Sequence, residues 1–206
     1  LPARKRLRTQ TNGGAYWGMH PALTAALDLL LPRVCLLCET LMGAQPEMVC
    51  HACWTRLEVL PRPRCGRCGH PTGGRECQWC ELLEPRVTAA RSVCWVPDGA
   101  GGEIVHRLKY GGWTGIATDM ARRIRREGRT WTDGDIAVLV PVPLAGSRIR
   151  ERGFNQRAVL AQALAREWRI PLSCDALVRV RETKSQVLLT PEERSVGRAI
   201  AAFLAH

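Results

Sequence analysis

Long apolar runs are missing from this 206-residue sequence. The strongest candidate, Leu23 to Leu31, is nine residues long and is interrupted by Asp28. That is far short of the roughly twenty needed to cross a bilayer. No small-residue cleavage site accompanies it, and Val34 before Cys35 speaks against a lipoprotein signal. Lysine is almost absent, 3 against 27 arginines, and Phe and Tyr occur twice each. Codon bias alone can favour Arg over Lys, so the basic balance of +11 does not by itself name a partner. Extreme composition is lacking too: with 46% hydrophobic and 24% charged residues, the chain is neither disordered nor collagen-like. With no export signal and many thiols, the expected compartment is the cytoplasm.

Cysteine, by contrast, is abundant. Eight of the ten fall in four Cys-x-x-Cys pairs: Cys35/Cys38, Cys50/Cys53, Cys65/Cys68 and Cys77/Cys80. Two thiolates separated by two residues can face one ion from a tight turn, and two such knuckles complete a tetrahedron around zinc. Four knuckles therefore predict two structural Zn2+ sites. Disulfides remain an alternative, as does rubredoxin-like iron. Sequential pairing, 35/38 with 50/53 and 65/68 with 77/80, closes loops of eleven and eight residues and costs less entropy than crossed pairing. The crossed arrangement, 35/38 with 65/68, stays open. His51 and His70 flank knuckles and are read as bystanders. Cys94 and Cys174 stand alone and are read as small buried side chains.

Each filled four-thiolate site carries −2, so two of them lower the formal +11 to +7. Residues 35–80 hold five Arg and four acidic residues and become −3 with metal, whereas residues 86–206 carry +8. An anion-seeking surface is therefore expected after the zinc module, which argues against a ribbon that grips nucleic acid by charge. Chelation or Cys65→Ser is expected to unfold the first eighty-odd residues and to affect the remainder less.

Residues 1–18 read as a disordered basic extension, with Met19 an alternative start, and residues 19–34 as a short helix leading into the first knuckle. The double zinc ribbon occupies 35–85. From 86 to 206 the pattern alternates. Ser92–Val96 reads as a strand, and helical spacing follows through Ile104 and Leu108 and from Ile116 to Ile124. Ile136–Val140 is a continuous apolar run, as for a strand buried on both faces. Asn155 can cap a helix running to Trp168, and Leu172–Val180 can hold a short strand. Strands alternating with helices predict an α/β domain with a mainly parallel sheet.

Three blocks then line up in order. They are Leu108-Lys-Tyr-Gly-Gly-Trp113; Val140-Pro-Val-Pro-Leu144 with Glu151-Arg-Gly-Phe-Asn-Gln156; and Arg179-Val-Arg-Glu-Thr-Lys-Ser-Gln186 with Arg194. Together with the four knuckles they resemble the ComF family, which joins a double zinc ribbon to a type I phosphoribosyltransferase-like domain. The resemblance runs from about Met19 to His206. It implies a role in DNA uptake during competence and handling of phosphoribosyl pyrophosphate (PRPP), a phosphorylated sugar carried with Mg2+. By the same resemblance Lys109 faces the leaving diphosphate, and Arg181, Gln186 and Arg194 belong to a mobile loop. The proline-flanked turn leaves backbone donors at Val142 and Leu144–Ser147. Arg148 and Arg152 can add bidentate contacts to phosphate, although the run Arg148, Arg150, Arg152 is equally readable as a solvated charged turn. Phe154 reads as a core anchor and Asn155 as a helix cap, with Asn155 and Gln156 beside the substrate. Tyr110 and Trp113 could stack on a base or ribose, or pack in the core or at its rim.

One segment of the family pattern is missing. A type I phosphoribosyltransferase needs two acidic residues and a Thr/Gly-rich turn after an apolar strand, to hold the ribose hydroxyls and the 5-phosphate. It would follow Ala202-Phe203, so the sequence reads as C-terminally truncated. Turnover of PRPP by these residues alone is not expected, and no catalytic residue is assigned. The competing reading is a non-enzymatic zinc-ribbon adaptor that binds single-stranded DNA or competence proteins.

Overall fold

The computed structural model describes residues 32–43, 46–74, 76–80, 87–96, 98–127 and 138–179, and the backbone of 203–205. The basic extension and residues 19–31 of the expected helix lie outside these residues, as do Ile136, Ala137, Arg181, Gln186 and Arg194. Residues 32–34, the end of that expected helix, are extended, with Val34 bridged to Leu41. The elements are α1 (His51–Thr55), α2 (Gly99–Tyr110), α3 (Ile116–Glu127), α4 (Gly146–Arg152), α5 (Gln156–Trp168), β1 (Leu177–Arg179) and β2 (Phe203–Ala205). No helix among the described residues is long and apolar enough to cross a membrane.

The first and third knuckles share one design. In the first, Val34 bridges Leu41, the Cys35 N–H donates to Thr40 O (2.9 Å) and the Glu39 N–H donates to Cys35 O (2.9 Å). In the third, Arg64 bridges Pro71, the Cys65 N–H donates to His70 O (2.8 Å) and the Gly69 N–H donates to Cys65 O (3.0 Å). Four residues after the first cysteine the chain must turn left-handed. Gly69 does so at φ 72°, and Glu39 occupies the equivalent place at φ 59°. The second knuckle opens α1, where Cys50 is the N-cap and its sulfur accepts the Cys53 N–H.

Helices α2, α3 and α5 pack together and against the first ribbon. Ile104 and Leu108 of α2, Ile116, Ala117 and Ala121 of α3, and Ala163 of α5 form one core with Val49, Cys35 and Cys53. Alanines at the α3–α5 contact let the helix axes approach closely, and Phe154, Leu160 and Leu164 close the rim. Two metal-binding cysteines thus belong to the helical core. The first centre is therefore tied to the helices, whereas the second, which includes Cys65, is not part of this core.

The segment expected as a strand at Ser92–Val96 is extended but pairs with the ribbon. The Leu60 N–H donates to Val93 O and the Trp95 N–H to Glu58 O, both at 3.0 Å, and Val59 bridges Cys94 antiparallel. Helix α2 is seated on this segment through Gly101, where a Cβ would fall 2.6 Å from Trp95 O.

The sheet differs from the mainly parallel one expected. Among the described residues it has two strands, β1 and β2, paired antiparallel with Leu177 opposite Ala205. The parallel component is one bridge, Leu139 to Leu172. Val138 is 43% exposed, so this end of the apolar run is not covered on both faces. The physical reason is local: Pro141 and Pro143 lack N–H donors and end the ladder just after Val140.

Candidate metal centres and a cationic cluster

The eight paired cysteines gather by sequential pairing into two groups, Cys35/Cys38/Cys50/Cys53 and Cys65/Cys68/Cys77/Cys80. Within each group all four sulfurs lie within 4.8 Å of one another. Zn–S bonds of about 2.3 Å place the sulfurs of a tetrahedron about 3.8 Å apart, so both groups fit a zinc ion. The shortest approaches are Cys38–Cys50 at 3.6 Å, and Cys65–Cys80 and Cys68–Cys77 at 3.3 Å. All ten cysteines are free thiols. His70 is engaged elsewhere, with its ring 4.9 Å from that of Trp79.

The polypeptide is arranged to support thiolates. In the first centre, the Cys50 and Leu37 N–H groups donate to Cys35 Sγ at 3.3 and 3.4 Å. The Thr40 hydroxyl lies 3.3 Å from Cys38 Sγ, and with the Thr40 backbone it brings that thiol down to about 6. In the second centre, the backbone N–H groups of Cys68 and Arg67 bring Cys65 down to about 6. Opposing thiols go the other way. Burial pushes Cys53 well up, and the neighbouring Cys65 pushes Cys80 up to about 12. Four sulfurs so close cannot all ionise without a cation to discharge them. A structural divalent zinc meets that demand, and the chain holds two such centres.

The centres differ in surroundings. Cys35 and Cys53 are 0% and 1% exposed, whereas all four cysteines of the second centre are partly exposed. Of the lone cysteines, Cys94 is half-buried against α2, where burial pushes its thiol up. Cys174 is exposed, which corrects its reading as a buried side chain.

A second feature lies where α2 ends and α5 begins. The Arg152 guanidinium stacks 4.7 Å from the centre of the Tyr110 ring, and its Nη2 donates to the Tyr110 hydroxyl at 3.1 Å. Desolvation, then the charges of Arg152 and Arg157, hold Lys109 below the usual lysine range. Desolvation, then Arg179 and Arg152, likewise lower Arg157. Four cations therefore repel one another here. Among the described residues neither Lys109 nor Arg157 meets a carboxylate. Two polar atoms nearby in the chain, Arg152 Nε and Gln156 Oε1, are buried without a hydrogen-bond partner.

Of the substrate residues expected from sequence, Lys109 and Arg152 come together. Asn155 caps α5, its Oδ1 accepting the Arg157 N–H at 3.0 Å, and its amide approaches Val142 O at 3.5 Å. Gln156 is buried in the first turn of α5, and Ser147 is in the first turn of α4. Arg148 is drawn off to Glu151, 2.6 Å away on the same helix, which leaves it outside the cluster. Arg157 and Arg179 were not among the expected substrate residues, although Arg157 directly follows the Arg-Gly-Phe-Asn-Gln string. Tyr110 is exposed and carries Arg152, so it is rim rather than core. Mg2+ finds no group of carboxylates among the described residues, and no step is assigned to it.

Residues 26–84 match the double zinc ribbon domain. The chain is 30% identical over 158 residues to competence protein ComFC of Bacillus subtilis, covering 68% of this chain and 65% of that one. It thus spans slightly less than two thirds of that relative's length. It is 31% identical over 166 residues to the DNA utilization protein YhgH of Salmonella typhi, covering 77% and 71%. The Escherichia coli K12 YhgH is 28% identical over 172 residues, covering 81% and 75%. No solved structure matches. With two sequentially paired four-cysteine centres and these relatives, the chain belongs to the ComF family.

Proposed function

We propose that this chain is a DNA-handling protein of the competence type whose cationic cluster takes a diphosphate-bearing sugar of the PRPP class. The observation that carries the reading is the crowding of Lys109, Arg152 and Arg157, with the Arg152 guanidinium held on Tyr110. Cations that raise one another's energy in the free protein release that energy when a multivalent anion settles among them. Arg guanidiniums suit phosphate oxygens through paired N–H donors, and a half-buried Lys supplies a point charge. The relatives named for competence and DNA utilization support the wider role.

In this reading the zinc centres hold the scaffold and touch no substrate. The acidic, Thr/Gly-rich segment of a type I phosphoribosyltransferase is not among these 206 residues. The relatives named for DNA utilization favour a second reading, a non-enzymatic adaptor in a cytoplasmic DNA-uptake system.

Calorimetric titration of the zinc-loaded chain with pyrophosphate and with PRPP tests the proposal. Both should bind, and Arg157→Ala should weaken each by about tenfold, the loss of one charge-assisted contact. Absence of heat for either ligand overturns it.

A further inference from the structure

The second ribbon carries features that the zinc centres do not use. Trp79 and Trp95 are 45% and 43% exposed, and both rings contact His70, at centroid distances of 4.9 and 6.1 Å. Both indoles thus leave much of their surface open to a ligand. The same ribbon presents an open cleft lined by Arg62, Arg64 and Arg91. The Arg64 and Arg91 guanidiniums are held by backbone carbonyls rather than by acids. Arg64 donates to Ser92 O at 3.2 Å and to Leu60 O, and Arg91 donates to Ala90 O at 2.8 Å. Among the described residues none of Arg62, Arg64, Arg67 and Arg91 pairs with a carboxylate.

The charge of the whole zinc module hides a split between its halves. Residues 35–60 hold one Arg and three Glu and carry −4 with zinc bound. Residues 61–80 hold four Arg and one Glu and carry +1 even with zinc, before Arg91 is added. The two ribbons share a knuckle design but not a surface.

We infer that the second ribbon is a binding face for single-stranded nucleic acid, with Trp79 and Trp95 stacking on bases and Arg62, Arg67 and Arg91 following the phosphates. The inference rests on the reading that the chain handles DNA, and it names the surface that does so. Exposed aromatic rings beside fixed cations are what a sequence-tolerant single-strand site requires, because every base offers a π-face. A duplex keeps its bases stacked inside and offers the indoles nothing. An acidic peptide would use the arginines but would leave the two indoles idle.

The test uses the full zinc-loaded chain and a fluorescein-labelled oligo(dT) of about twenty nucleotides, followed by anisotropy. Trp79→Ala and Trp95→Ala should each weaken binding about five- to a hundredfold, with zinc content unchanged. Trp79→Phe should recover most of the loss, which a merely structural role for the indole would not predict. Arg91→Gln should reduce the slope of log affinity against log salt by about one. A duplex of equal length should bind at least tenfold more weakly. If oligo(dT) binds but the tryptophan variants match the parent, this face is refuted while DNA handling stands. Failure of the parent chain to bind any oligonucleotide refutes both. Equal binding of duplex and single strand overturns the stacking argument.

Discussion

The Asp119 carboxylate accepts the Met48 backbone N–H at 2.7 Å, joining the first turn of α3 to the first ribbon across 71 residues of sequence. Asp119 is 5% exposed. Burial raises its pKa, against which the Met48 N–H and then the Arg122 charge stabilise the carboxylate. Arg122 in turn reaches Glu47 at 3.4 Å and Glu167 at 3.8 Å, so α3, α5 and the ribbon meet on one ionic network. Asp119→Ala strands a buried donor and removes the centre of that network. Urea unfolding of the zinc-loaded variant should show a loss of about 1–3 kcal/mol, and Asp119→Asn, which keeps an acceptor, should lose less.

The two zinc centres should differ in reach when broken. A structural zinc contributes on the order of 10–16 kcal/mol in small zinc-dependent folds. Cys53 lies in the same core as Ile104, Leu108 and Ile116. Cys53→Ala should therefore bring the zinc stoichiometry from two to one and remove much of the helical circular dichroism. Cys77→Ala, in the partly exposed centre, should reach the same stoichiometry with the helical signal kept. Equal loss of helix in both variants would contradict the shared core.

The turn after each first cysteine offers a paired test. Gly69 stands at φ 72°, and a Cβ there would meet Ala90 O at 2.7 Å. Gly69→Ala should cost about 1–3 kcal/mol through strain and backbone contact together. At the matching position, Glu39 stands at φ 59°. Glu39→Gly should be neutral or stabilising by up to about 1 kcal/mol. Chemical denaturation of the two variants at saturating zinc measures both.

Lys109 gives the anion site an alkaline limb. Its folded-state pKa lies below the usual 10.5 because desolvation, and then Arg152 and Arg157, disfavour the charged form. The sign follows: below the lowered pKa the charge is present and costs the free protein stability, and that cost disappears as pH rises through it. Pyrophosphate needs the charge. Its affinity should therefore fall as pH rises through the lowered Lys109 pKa, and Lys109→Gln should bind more weakly at neutral pH and lack this limb. Titrations between about pH 7 and 10 resolve the two profiles.

Local chemistry was legible in the sequence, and chain-distant proximity was not. Four Cys-x-x-Cys pairs pointed to two four-thiolate zinc centres and, through the entropy of short loops, favoured sequential pairing; the structure gathered the sulfurs that way. Asn155 as the cap of α5 and the helices through Ile104, Leu108 and Ile116 were equally local, since capping and helical periodicity act within a few residues. The Arg-Gly-Phe-Asn-Gln string carried the family likeness. What tertiary structure decided depends on contacts between segments far apart in sequence. It made Cys35 and Cys53 part of the helical core, turned 92–96 back onto the ribbon, and confined the described sheet to one antiparallel pair and one parallel bridge. It brought Arg152 and Arg157 to Lys109, and drew Arg148 away to Glu151. It also set Trp79 and Trp95 around His70. Periodicity tells which face of a segment is apolar, but which other segment covers that face depends on how the whole chain packs.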